Sequence, residues 1–263
     1  MKINANGIDI HYEITGSRPG TSGAPCVLFA HSLGSDHSIW AAQKSALAGR
    51  HTVIAYDLRG HGQTTATIGA YDFDLLADDA LALLDALQIG KASFVGISLG
   101  GMIGQALALK APERLEKLVL ADTTAAYPPE AQALWPERIR QIAANGLEAL
   151  VQPTLERWFT PPYRVAHPEV VTRIGNLIRQ TPLAGYIGCC HAIAGLNFSP
   201  RLDEIRTPTL VLVGEQDAGT PPAMAQALAA GISGAHCEVI PAAAHLSNIE
   251  QAETFNRLLG QFL

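Results

Sequence analysis

The chain has 263 residues, 48 % of them hydrophobic and 16 % charged, a balance that supplies a sizeable core and excludes a disordered protein. Its net charge of −6, with no basic cluster, argues against a nucleic-acid partner, which needs a positive field. No apolar run reaches the roughly 18–20 residues that span a bilayer, and the start MKINANGIDIHYEITG lacks the apolar stretch of a signal peptide, so no membrane partner and a cytoplasmic location are expected.

Taken in chain order, short apolar runs alternate with helical patterns. Ile8–Ile14 reads IDIHYEI, the alternation of an edge hairpin strand. Cys26–Ala30, Thr52–Tyr56, Ala92–Ile97, Leu118–Ala121, Thr209–Val213 and Cys237–Ile240 are brief and mostly lack polar alternation, as strands covered on both faces do. Asp74–Leu87 spaces its leucines as a helix, with Gly90 beyond its end, and Ala223–Ala230 and Ser247–Leu263 are helical in turn. This βαβα order predicts an α/β fold with a mostly parallel central sheet flanked by helices. Between Pro128 and Pro200 no strand is evident. Helical stretches there are punctuated by Pro136, Pro153, Pro161, Pro162, Pro168 and Pro182, which predicts a helical lid inserted into the core. The expected division is core 1–127, lid 128–200 and core 201–263. Cys26, Cys189, Cys190 and Cys237 form no C-x-x-C pair and match no zinc spacing, so buried free thiols and no metal are expected.

Ligands of open α/β sheets sit beyond the carboxyl ends of the strands, so the residues that follow each strand carry the chemistry. Ala92–Ile97 runs into Gly96-Ile97-Ser98-Leu99-Gly100, a G-x-S-x-G pattern with strand before and helix after. A sharp turn there projects the Ser98 hydroxyl, and side chains two residues to either side would collide with neighbouring elements. Thr209–Val213 is followed by Glu215 and Asp217, and Cys237–Ile240 by His245, giving the order Ser, Asp, His. Asp122 also lies at a strand end and is the rival acid; Asp217 is preferred. His31-Ser32-Leu33-Gly34 follows the strand at Cys26–Ala30. The N–H groups of Leu33 and Leu99 are the expected oxyanion donors, and His31 is expected to brace its loop. The Asp57–Gly62 stretch (DLRGHG) is charged yet lacks a nucleophile, and is read as a hydrogen-bonded structural loop.

HSLGSDHSIW (31–40), DLRGHG (57–62), GISLGGMIGQ (96–105), Trp135 with Arg138, ERWFTPPY (156–163), CCHAI (189–193) and AAHLSNIEQ (243–251) together give the chain a resemblance to the α/β-hydrolases. Within them it resembles the 3-oxoadipate enol-lactonases, on the two segments ERWFTPPY and CCHAI. The resemblance implies hydrolysis of a small lactone or ester from aromatic-acid breakdown through a Ser98–His245–Asp217 triad, with no cofactor. Trp135, Arg138, Trp158 and Tyr163, with Phe159, are the candidate substrate contacts. One departure stands out: where the lactonases continue with an Arg-Asp pair after the cysteines, this chain has Ala194-Gly195-Leu196-Asn197. Either another arginine (Arg138, Arg157, Arg164, Arg173 or Arg179) meets a substrate carboxylate, or the substrate is a different, uncharged lactone or ester. A carboxylesterase or aryl esterase is thus the alternative. A carbon–carbon hydrolase, a perhydrolase and a binding protein retaining the fold are weaker readings. A haloalkane dehalogenase is disfavoured because Ser98 stands where that chemistry needs a carboxylate.

Overall fold

A computed structural model of the chain describes residues 1–17 and 23–263. Eight strands, β1 Lys2–Ala5, β2 Ile8–Gly16, β3 Cys26–Ala30, β4 Thr52–Tyr56, β5 Ala92–Ile97, β6 Leu115–Ala121, β7 Thr209–Gly214 and β8 His236–Ile240, form one sheet in the order β1-β2-β4-β3-β5-β6-β7-β8. The first two strands pair antiparallel and β3 to β8 run parallel. Ile8–Ile14 therefore lies inside the sheet and not at its edge, because Lys2–Ala5 pairs outside it. Asn6 (φ 48°) and Gly7 (φ 74°) make the turn between them, the left-handed pair that an Asn-Gly hairpin favours.

Strands β3, β4 and β5 are buried along their whole length, and their side chains alternate between two cores. Leu28, Ile54 and Phe94 face one side, with Leu76, Ile103 and Leu228 of the helices α2 Phe73–Ala86, α3 Leu99–Lys110 and α10 Pro222–Gly231. Phe29, Val53 and Val95 face the other, with Leu47 of α1 (Ala41–Leu47) and Phe255 and Leu259 of α12 (Ala252–Phe262), which follows the single turn α11 (Ser247–Glu250). The Asp72 carboxylate caps α2 by accepting the Leu75 N–H at 2.8 Å. That helix ends through Gln88 in the left-handed region (φ 58°), two residues before the expected Gly90.

Residues 122–208 contain six α-helices, a 3-10 helix at Ser199–Glu204 and no extended strand: α4 Pro129–Gln132, α5 Trp135–Asn145, α6 Glu148–Trp158, α7 Pro161–Ala166, α8 Pro168–Gln180 and α9 Leu183–Ala194. Prolines open α4, α7 and α8 at their first or second positions, where a missing N–H costs nothing. The two ends of this insertion meet at an isolated bridge between Ala126 and Asn197. All four cysteines are free; Cys26, Cys189 and Cys190 are buried, whereas Cys237 is partly exposed on the outermost strand.

The loop after β4 is held by its own charges. Asp57 accepts from His37 Nδ1 at 2.6 Å, His11 Nδ1 at 3.0 Å, and the N–H groups of His37 and Gln63 at 2.9 Å each. Burial opposes its charge, but these donors hold the carboxylate well below its usual range. Arg59 pairs with buried Asp79 at 2.5 Å. Because an ionised carboxylate only accepts, both imidazoles spend their Nδ1 protons on Asp57, and the cluster is a brace.

Candidate active site

The strand order reverses between β3 and β5, which places the turns after these two strands side by side. Ser98 follows β5 and sits at φ 55° and ψ −116°, a conformation L-residues avoid, as the residue before the first turn of α3. Its N–H donates to Ala121 O at 2.8 Å, and its carbonyl accepts from Met102 N–H at 3.0 Å and Thr123 Oγ1 at 2.8 Å. The glycines are steric necessities. A Cβ on Gly96 would lie 2.1 Å from the Gly100 carbonyl oxygen, and one on Gly100 would lie 2.2 Å from that of Ala30.

His245 is 6 % exposed, and its Nδ1 lies 2.7 Å from Asp217 Oδ2. Asp217 is 2 % exposed and also accepts the N–H groups of Gly219 (2.8 Å) and Thr220 (3.0 Å) and the Thr220 hydroxyl (2.8 Å). Burial works against charge on both partners. The imidazole's charge and these donors nevertheless hold the carboxylate below its usual range, and the carboxylate raises the imidazole above its own. Asp217 being ionised, Nδ1 carries the proton and Nε2 is left with a lone pair.

Asp122 makes no hydrogen bond to His245 among the described residues. It is fully buried at φ 45°, accepts the Gly214 N–H at 2.7 Å through Oδ1 and the Ser247 hydroxyl at 2.5 Å through Oδ2. Burial and the charge of Asp217 push its carboxyl up to about 8. It thus ties the end of β7, which leads to Asp217, to the helix that follows His245. The sequence preferred Asp217 of the two strand-end acids, and the hydrogen bonds pair it with His245 and give Asp122 other partners.

Ser98 and His245 line one cavity of about 500 Å³ between the sheet and the helical insertion. Leu33, Trp135, Arg138 and Trp158 line it too. Leu99 is the first residue of α3, where an N–H has no acceptor within its own helix. The Leu33 turn is fastened by the Gly34 N–H donating to His61 Nε2 at 3.0 Å, and by His31, whose Nε2 accepts the Leu58 N–H at 2.9 Å. The Trp158 ring stacks over the His245 imidazole with centroids 6.2 Å apart.

Tyr163 and Phe159 lie outside the cavity. Thr160 caps α7 and turns the chain, so Tyr163 stacks on Phe159 at 5.2 Å and meets His167 at 4.4 Å instead. Arg157 is a wall residue that the sequence offered only as one arginine among five, with Tyr127 and Tyr186 not singled out at all. Arg164 and Arg179 pair with Glu156 and Glu148, and Arg173 donates to Ser38. Arg138 and Arg157 alone of the five line the cavity, and neither has a carboxylate partner among the described residues. Arg138 lies over the Trp135 ring at 4.9 Å, and burial and the nearby Arg138 charge lower the pKa of Arg157. The Ala194-Gly195 departure falls at the end of α9, outside the cavity wall, where the Ala194 carbonyl accepts from Gln132.

This sheet, with a serine at a strained strand-to-helix turn beside a buried His–Asp pair, defines a class, and the sequence model for the alpha/beta hydrolase fold matches residues 25–252: the chain belongs to the α/β-hydrolase family. It is 40 % identical to 3-oxoadipate enol-lactonase 2 of Acinetobacter baylyi, over 90 % of this chain and 88 % of that one. It is 35 % identical to 3-oxoadipate enol-lactonase 1 of the same organism, over 100 % and 96 %. The crystal structure of the enol-lactonase from Burkholderia xenovorans LB400 superposes with a TM-score of 0.94 at 37 % identity, covering 100 % of this chain and 99 % of that one.

Proposed function

We propose that the chain is a cytoplasmic 3-oxoadipate enol-lactonase, opening the lactone to 3-oxoadipate in aromatic-compound catabolism. The observation that carries the substrate is the pair Arg138 and Arg157, two cations without acidic partners in the cavity that holds Ser98 and His245. The lactone bears a free carboxylate, and charge-assisted hydrogen bonds from such a pair orient it and offset its desolvation. The Arg-Asp pair missing after the cysteines is not needed for this.

His245 Nε2 takes the proton of Ser98 as the hydroxyl attacks the lactone carbonyl, while Asp217 holds the tautomer and stabilises the imidazolium. The N–H groups of Leu99 and Leu33 receive the oxyanion. Collapse breaks the ring C–O bond, the enol leaves with a proton from His245, and its tautomerisation to the ketone makes opening effectively irreversible. A water deprotonated by His245 then releases the acyl group from Ser98. The insertion 128–200 serves as the lid, with Trp135 and Trp158 as its apolar walls. No step requires a cofactor.

The test compares the enol-lactone with p-nitrophenyl acetate, which has no carboxylate. Arg138→Gln and Arg157→Gln are expected to lower kcat/KM for the lactone about 10–100-fold each, the worth of a charge-assisted hydrogen bond, and to affect the neutral ester far less. Equal losses on both substrates, or a wild-type enzyme that prefers neutral esters and lactones, would favour an esterase instead.

A further inference from the structure

The turn that carries His245 is fastened on both sides to one corner of the helical insertion. On one side the Leu246 N–H donates to the Trp158 carbonyl at 3.2 Å. On the other, the Ala244 N–H donates to Glu250 Oε2 at 2.9 Å, and the same carboxylate accepts the Thr160 N–H at 3.1 and 3.3 Å and the Thr160 hydroxyl. Glu250 is 7 % exposed and takes part in no ion pair among the described residues. A buried carboxylate without a cation is costly unless donors surround it, and among the described residues these donors come from two places. Two belong to the corner after α6. The third belongs to the residue immediately before His245.

That corner also shapes the cavity. Trp158 stacks over the imidazole, Arg157 precedes it on the cavity wall, and Thr160 starts the next helix by accepting the Tyr163 N–H at 3.4 Å. The residues brought together are distant in sequence: 160 in the insertion, 244 and 250 in the last part of the core. Neither Glu250 nor Thr160 lines the cavity, so neither meets substrate.

We infer that Glu250 is a positioning residue for catalysis: it latches the His245 turn to the Trp158–Thr160 corner, so that the base is in register with Ser98 only while that corner is seated. This rests on His245 being the base for Ser98. With the latch opened, Ala244 and Thr160 lose their common acceptor, and the imidazole follows its turn instead of the lid. A displacement of that kind lowers the chemical step and leaves binding at the arginines largely intact.

The experiment measures kcat, KM and melting temperature of Thr160→Val, Thr160→Ser and Glu250→Gln, on p-nitrophenyl acetate and on the enol-lactone, with Ser98→Ala as control. Thr160→Val and Glu250→Gln are expected to melt cooperatively and to lose about 10–100-fold in kcat on both substrates, with KM within about threefold. Thr160→Ser, which returns the hydroxyl, is expected to recover most of that loss. Wild-type kcat in Thr160→Val, a change in KM alone, or a Thr160→Ser variant as impaired as Thr160→Val would overturn the latch. If Glu250→Gln fails to fold, the Thr160 pair decides by itself. Activity surviving in Ser98→Ala would show instead that the underlying catalytic reading is wrong. A wild-type enzyme that turns over only the neutral ester would sink the substrate while leaving the latch to be judged on that ester.

Discussion

Ser98 occupies φ 55° and ψ −116°, a conformation that costs a non-glycine residue roughly 1–3 kcal/mol and persists because the turn is fastened by Ala121, Met102 and Thr123. Ser98→Ala and Ser98→Gly should both abolish ester turnover, yet they should differ in stability. Glycine relieves the strain and alanine keeps it, so urea unfolding is expected to place Ser98→Gly about 1 kcal/mol above Ser98→Ala. At the acid, Asp217→Asn should lower kcat by about 10⁴, since an amide no longer enforces the Nδ1–H tautomer, while Asp122→Asn should stay within about tenfold. The reverse ranking would transfer the role to Asp122. On the proposed mechanism the pH profile follows from the raised His245 imidazole, which accepts no proton from Ser98 while it is protonated. The acid limb of kcat/KM should therefore have its midpoint above the ordinary histidine value of about 6.5, with activity rising as pH rises through it.

Elements explain why the aromatic residues of ERWFTPPY part company. Trp158 ends α6 with its ring over His245, and the extended residue Phe159 (φ −133°, ψ 140°) with the Thr160 cap then swings the next helix away. Trp158→Leu should raise KM for the lactone on the order of tenfold, because it strips the wall beside the base. Tyr163→Leu should leave KM essentially unchanged and lower the melting temperature, through loss of its stacking on Phe159. Steady-state kinetics beside a thermal melt distinguishes the two. Adjacent residues such as Trp158 and Phe159 are told apart as wall and packing only once the helix break is seen.

At the scale of the whole molecule, buried neutral histidines link catalysis loops to global stability. His61 accepts the Gly34 N–H through Nε2, and burial pushes its pKa down to about 3. Burial likewise lowers that of His31, which joins the turns at Ser32 and Leu58. A depressed histidine binds its proton more readily in the unfolded chain. Stability from neutral His61 is therefore fully present above its unfolded value near 6.5 and falls as pH drops from there toward 3. Urea unfolding at pH 7.5 and pH 5 should show that loss in the wild-type protein, and His61→Asn should reduce the difference between the two values. An unchanged difference would mean His61 titrates normally.

Much of this is legible in the sequence. The boundaries of Cys26–Ala30, Thr52–Tyr56 and Ala92–Ile97 coincide with β3, β4 and β5, because strands buried on both faces read as uninterrupted apolar runs. The G-x-S-x-G pattern is equally plain, although only Gly96 answers to a local collision, with Gly100, whereas Gly100 answers to Ala30 of the neighbouring strand. The first strand was missed: KINA is short and half exposed, and only the Asn-Gly turn announced its hairpin. What tertiary structure decided is everything that depends on direction across helices and between distant segments. It set Asp122 to fastening loops, put Arg157 on the cavity wall and Tyr163 off it, and joined Glu250 to Thr160. Strand chemistry is local and survives in the order of residues, whereas the partners of a buried charge are chosen by packing, which no spacing along the chain encodes.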